Sequence, residues 1–118
     1  MKNHLFSMKL NIQNIQGDLV KQDDRYIVKD NTRLRDLTLS STRLKANKQT
    51  TGHSHEGQEE IYFFVQGQGK MKLDNETIDV KSNDVVLIED NVFHKVINDS
   101  QDDLYFVCVF NKKRAYVV

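Results

Sequence analysis

Turn signals recur in this chain at short, even intervals, and the segments between them are the right length for strands. Gly67-Gln68-Gly69, Asp74-Asn75, Ser82-Asn83-Asp84, Asp90-Asn91 and Asp99-Ser100-Gln101-Asp102 punctuate the second half. Between them lie Glu60–Gln66 and residues 70–73, 77–80, 85–88, 93–97 and 104–110, several of them rich in Val, Ile, Tyr and Phe. Upstream, Leu37 and Leu39 alternate with Thr38 and Ser40, which predicts a further strand over 37–44. No helical apolar period runs between these segments, so the pattern predicts an all-β barrel or sandwich. The chain has no proline. Its turns therefore fall to Gly, Asn, Asp and Ser, and Asp74-Asn75 suits a tight hairpin because both residue types tolerate positive φ.

A chain of 118 residues suffices for one modest core. No repeat, low-complexity tract or linker divides it. Residues 36–110 read as the barrel, residues 1–35 as N-terminal strands or an arm, and residues 111–118 as a tail. Residues 5–15 and 26–28 are the strand candidates of the N-terminal part. Charge is balanced at 17 basic against 17 acidic residues. No basic run carries interleaved aromatics, so nucleic acid is not an expected partner. No segment reaches the length of a membrane span, and residues 1–10 lack the unbroken apolar stretch of a secretory signal. The single cysteine, Cys108, cannot form an internal disulfide, and a reducing cytoplasm is the expected compartment. It sits in the apolar run 104–110 and reads as a small buried residue, with a pocket-facing thiol as the alternative.

Three of the four histidines fall in two short segments, Gly52-His53-Ser54-His55-Glu56-Gly57-Gln58-Glu59-Glu60 and Val92-Phe93-His94-Lys95-Val96-Ile97-Asn98. His53 and His55 project to one side if their stretch is extended. With a carboxylate from Glu59 or Glu60 and a distant imidazole from His94, they form a first shell suited to a divalent transition metal: iron, manganese, nickel or zinc. Both faces of Glu60–Gln66 are apolar, so alternation does not choose between the two glutamates. His4 lies outside both segments and reads as a solvated terminal residue.

The two segments resemble the paired motifs of the cupin superfamily, small barrels of the double-stranded β-helix or jelly-roll type. The first family motif has two histidines one residue apart, a glutamate three or four positions on, and a glycine after six more. His53, His55, Glu60 and Gly67 match it, which favours Glu60 over Glu59. The second has a histidine followed by an asparagine after three residues, matched by His94 and Asn98. Asn83, Glu89 and Asn91 stand where the family usually has Gly, Pro and Gly. The two asparagines are mild changes, since Asn is the commonest non-glycine residue at left-handed turn positions. The resemblance covers residues 36–110 and implies His53, His55, Glu60 and His94 as metal ligands.

A metal held by those four side chains keeps one or two positions open, the mark of a site that takes water or substrate. The resemblance implies an enzyme acting on a small polar molecule such as a sugar or sugar phosphate, of isomerase or epimerase type. Tyr62 or Glu59 is then the candidate proton-moving residue, and Tyr62 and Phe64, if inward, line the cavity. The alternatives are a metal-dependent dioxygenase and a small-ligand binding or sensor module without turnover. Open strand edges predict a homodimer, with the N-terminal segment and residues 115–118 as candidate pairing strands.

Overall fold

The computed structural model describes residues 8–111 together with Arg114. Nine strands follow one another: β1 (Asp18–Gln22), β2 (Tyr26–Asn31), β3 (Leu37–Leu44), β4 (Glu60–Gln66), β5 (Gln68–Leu73), β6 (Glu76–Lys81), β7 (Val85–Ile88), β8 (His94–Ile97) and β9 (Leu104–Asn111). Among the described residues there is no helix, and so none long and apolar enough to cross a membrane. The strands form a six-stranded sheet ordered β1-β2-β3-β9-β4-β7 and a three-stranded sheet ordered β6-β5-β8, every pairing antiparallel. This is the all-β architecture expected from the turn spacing, in the double-stranded β-helix form that the family resemblance implies.

The N-terminal expectation needs a correction. Within residues 5–15, those from Met8 onward form no strand; Asn11 and Asn14 instead close a tight turn through an isolated bridge. Asparagine side chains take the backbone donors that a strand would need, with the Asn11 Oδ1 accepting from Gln13 N at 2.8 Å and the Asn14 Oδ1 from Gln16 N at 3.1 Å. Gln16 and Gly17, at φ 61° and 98°, then turn the chain into β1. Residues 5–7, His4 and the candidate pairing strand 115–118 lie outside the described residues.

Strand alternation explains why both faces of β4 are apolar. Glu60, Tyr62 and Phe64 are buried between the sheets, while Ile61, Phe63 and Val65 point to the outer face and are half-buried. The inner core joins Tyr26, Leu44, Phe64, Met71, Leu104 and Phe110. A smaller outer cluster packs Ile15 against Tyr105 and Val107, and the Tyr105 hydroxyl donates to the Ile12 carbonyl at 2.8 Å.

The turns bear out the Gly-to-Asn substitutions. Asn83 and Asn91 have φ of 81° and 67°, and Asp74, in the β5–β6 hairpin, has 51°. Gly67 is less replaceable: at φ 93° its missing Cβ would lie 2.5 Å from the Asp103 carbonyl oxygen. Asn98 is fully buried and structural. Its Nδ2 donates to the carbonyls of Leu44, Lys45 and Asp102 at 3.0, 3.1 and 2.8 Å, and its Oδ1 accepts from Ser100 N and Oγ. It thereby ties the end of β8 to the ends of β3 and the β8–β9 loop.

Candidate metal centre

The two histidine segments meet through their backbones. His53 N donates to the His94 carbonyl at 3.2 Å and His94 N to the His53 carbonyl at 3.0 Å, an isolated antiparallel bridge. His53 is therefore in a loop pinned to the start of β8, not in a strand of its own. Gly52 makes the approach possible, since a Cβ there would collide with the Phe93 ring. His55 is held in turn by Asn91 N, which donates to its carbonyl at 2.6 Å. Left-handed Asn91 thus serves the site by aiming its amide back at the first histidine segment.

Glu60 opens β4 and points inward at 3% exposure. One donor atom each from His53, Glu60 and His94 falls within 4.8 Å of the others. The His53 ring centroid lies 4.7 Å from that of His94 and 4.8 Å from that of His55, with His55 and His94 6.4 Å apart. The tight trio is therefore His53, Glu60 and His94, with His55 on the outer side against His53. Both ring nitrogens of His53 and the Nε2 of His55 are shielded from solvent.

The electrostatics suit a cation. Burial, then the nearby His94 charge, holds the His53 imidazole down at about 4, and burial also lowers His55. Both are neutral and ready to donate a lone pair at ordinary pH. Burial alone would lower His94 as well, but its hydrogen bonds to Glu60 and Val92 and the Glu60 charge together outweigh it and raise the value. The His94 Nδ1–H donates to the Val92 carbonyl at 2.9 Å, which turns Nε2 toward Glu60 Oε1 at 3.1 Å. A neutral His94 in that tautomer presents a lone pair to a carboxylate, so a proton or a metal ion must hold the two together. Neutral imidazoles, one carboxylate and shielded ring nitrogens fit a divalent transition metal. His53, Glu60 and His94 would hold it, with His55 beside them.

The other expected site residues take different positions. Tyr62 is buried beside the trio, its ring stacked on Phe106 at 5.5 Å and edge-on to His94 at 5.9 Å. Phe64 is deeper in the core, at 2% exposure. Glu59 is exposed, outside β4, and does not line the cavity beside the trio. Cys108 is at once buried and a lining residue of the cavity, in register with Tyr62 across β4 and β9. Burial and then the Glu60 charge push its thiol well above the ordinary range, against an opposing hydrogen bond from Tyr62.

Tyr26 and Arg114 are among the lining residues that escaped the sequence reading. The cavity, about 40 Å3, is bounded by His53, Glu60 and His94 together with Tyr26 and Arg114 among others. Arg114 binds Asp30 of β2 through Nε–Oδ2 at 2.9 Å and Nη2–Oδ1 at 3.0 Å, and donates from Nη2 to Ser40 Oγ at 3.0 Å. Its guanidinium also sits 5.1 Å from the centre of the Phe110 ring. In sequence, Lys112-Lys113-Arg114 reads as a solvated basic tail, and nothing local marks its last member as buried against an aspartate 84 residues away.

Comparison with known proteins agrees with this picture. The family model described as the cupin domain matches residues 41–110. An uncharacterized protein of Methanocaldococcus jannaschii is 32% identical over 94 residues, covering 70% of this chain and 75% of that protein. The oxalate-binding protein of Thermotoga maritima is 32% identical over 57 residues, which span 48% of this chain and 47% of that protein. Among solved structures, KdgF from a Halomonas species superposes with a TM-score of 0.76 at 19% identity, covering 94% of this chain and 97% of the other. At that identity the likeness is one of fold.

Proposed function

The chain belongs to the cupin domain family, and from that premise we propose that it is a metal-dependent enzyme acting on a small polar molecule of the sugar or sugar-phosphate kind, by an isomerase or epimerase type of reaction. The single observation that carries the reading is the convergence of His53, Glu60 and His94 within 4.8 Å at the wall of a cavity. A bound divalent metal supplies Lewis acidity for a substrate carbonyl. The chain's own residues do the rest. Ser40, Thr42 and Thr50 add hydroxyls to the cavity wall, which suits an oxygen-rich ligand. Tyr62, buried and against His94, is the group placed to move a proton, since Glu59 faces solvent. The β4 and β9 aromatics Tyr62, Phe106 and Phe110 keep water away from that face. The buried free thiol of Cys108 supports work in a reducing cytoplasm.

A second reading, binding of a small acid without turnover, is favoured by the cavity's size. A buried water needs roughly 10–15 Å3 of such space, so about 40 Å3 admits only a small molecule without movement of the walls. A relative named as an oxalate-binding protein supports the same reading. The two are separated by incubating metal-loaded protein with sugar phosphates, hydroxy and keto acids and phenols, with and without dioxygen. Metal-dependent turnover of a sugar-like compound, lost in a folded His94→Ala variant, supports the isomerase reading. Oxygen consumption would replace it with dioxygenase chemistry, and saturable binding without product would replace it with the binding module.

A further inference from the structure

Tyr26 opens β2, is 2% exposed and lines the same cavity as the metal trio. Its hydroxyl is buried and has no hydrogen-bond partner among the described residues. A phenol oxygen left this way is costly, and buried tyrosine hydroxyls ordinarily find a partner. The ring itself is firmly placed. The Arg25 guanidinium lies 4.4 Å from the centre of the Tyr26 ring. Arg25 is anchored to Asp23 Oδ2 at 2.9 Å and to Thr51 Oγ1 at 2.9 Å, two residues before His53. The Tyr26 ring and the loop carrying His53 are thus tied to one cation.

We propose that Tyr26 is a ligand-positioning residue whose hydroxyl donates to an oxygen of a small carboxylate bound in this cavity, an inference that rests on the metal reading above. Charge selects the ligand class. A divalent ion held by neutral imidazoles and the single carboxylate of Glu60 leaves net positive charge beside buried side chains. Arg114, which lines the same cavity, is already balanced by Asp30. A monoanionic or dianionic oxygen ligand supplies the missing negative charge, and its second oxygen needs a donor, which the Tyr26 hydroxyl is.

The test compares wild type with Tyr26→Phe, which keeps the ring and its contact with Arg25. Both proteins are loaded with Zn2+, assayed for metal content, and titrated with oxalate, glycolate and acetate by calorimetry. The expected result is unchanged metal content and folding, with oxalate bound about tenfold more weakly by the variant, equal to about 1.4 kcal/mol. Equal affinity in the two proteins overturns the proposal, as does a metal-holding wild type that binds none of the three acids. A wild type that holds no metal, yet binds oxalate more tightly than the variant does, overturns the metal reading and leaves the Tyr26 contact standing. Absence of both metal and acid binding overturns both. In wild type alone, the assigned Tyr26 ring signal in a carbon-labelled tyrosine spectrum is expected to move on adding oxalate. A signal that stays in place at saturation overturns the contact without any substitution.

Discussion

His94 and Glu60 face each other across the barrel interior, Nε2 to Oε1 at 3.1 Å, with side chains only 3% and 2% exposed. The second ring nitrogen of His94 is committed to the Val92 carbonyl at 2.9 Å, so neither partner can turn away without stranding a buried polar atom. A proton can bridge the pair in metal-free protein, and the same two atoms would be ligands if a metal displaced that proton.

Removing one member should therefore cost fold as well as metal. His94→Ala leaves a buried carboxylate uncompensated and is expected to lower metal-free stability by about 3 kcal/mol, read by denaturant unfolding. Glu60→Gln keeps the shape and can donate to His94 Nε2. It is expected to stay within about 1 kcal/mol of wild type while losing most of its metal affinity. An Ala variant as stable as wild type would remove the pair from this account.

The pH dependence of the metal-free protein has two limbs of opposite sign. His53 is held down at about 4 by burial, so the unfolded chain takes up its proton first, and stability falls as pH drops from about 6.5 toward 4. His94 is raised, so its contribution is present below the unfolded value of about 6.5 and is lost as pH climbs through the raised folded value. Melting temperature should therefore peak near pH 6.5 among these two contributions. Bound metal should remove the upper limb, because His94 then holds no proton to release. A loaded protein that still loses stability above pH 7 in step with the metal-free one would contradict this.

Asn98 makes a prediction about the scaffold. It occupies three carbonyls and accepts from Ser100 at zero exposure, immediately after the strand that carries His94. Asn98→Ala should cost about 3 kcal/mol, at roughly 1 kcal/mol for each of the three carbonyls that lose its amide, and should weaken metal binding through the displaced strand. Chemical denaturation and metal titration of the same sample check both; a cost below 1 kcal/mol would show that the loop finds other partners.

Association is expected through the outer face of the large sheet. Leu39, Val109, Ile61 and Leu87 stand in register across β3, β9, β4 and β7, and Leu87 and Val85 on the edge strand are 72% and 54% exposed. An apolar row ending on an open strand edge favours pairing with a second copy. Light scattering at micromolar concentration should give a dimer that Leu87→Lys weakens; a monomeric wild type would contradict it.

How much of this was legible in the sequence depended on how local each signal was. Leu37–Leu44, Glu60–Gln66 and Val85–Ile88 were bounded to the residue, because alternation and turn chemistry act over neighbouring positions. Strand β1 was missed because four of its five residues are exposed at a sheet edge, so no apolar pattern marks it. Residue type and alternation grouped His53, His55 and His94 with one of two glutamates. Only spacing matched to a family pattern favoured Glu60 over Glu59, and the backbone bridge between His53 and His94 had no local sign. Tyr26 and Arg114 lay beyond that reach. One looked like a strand residue and the other like a tail charge, and only the closing of β2 and β3 against the end of the chain makes them walls of one cavity.

The most direct test is the metal content of protein purified without a metal-affinity tag, by elemental analysis of wild type beside folded His53→Ala and His94→Ala variants. About one divalent transition metal per chain is expected in wild type, lost in both variants. Wild type carrying well under one metal per chain, even after incubation with Mn2+, Fe2+, Ni2+ and Zn2+, would contradict it.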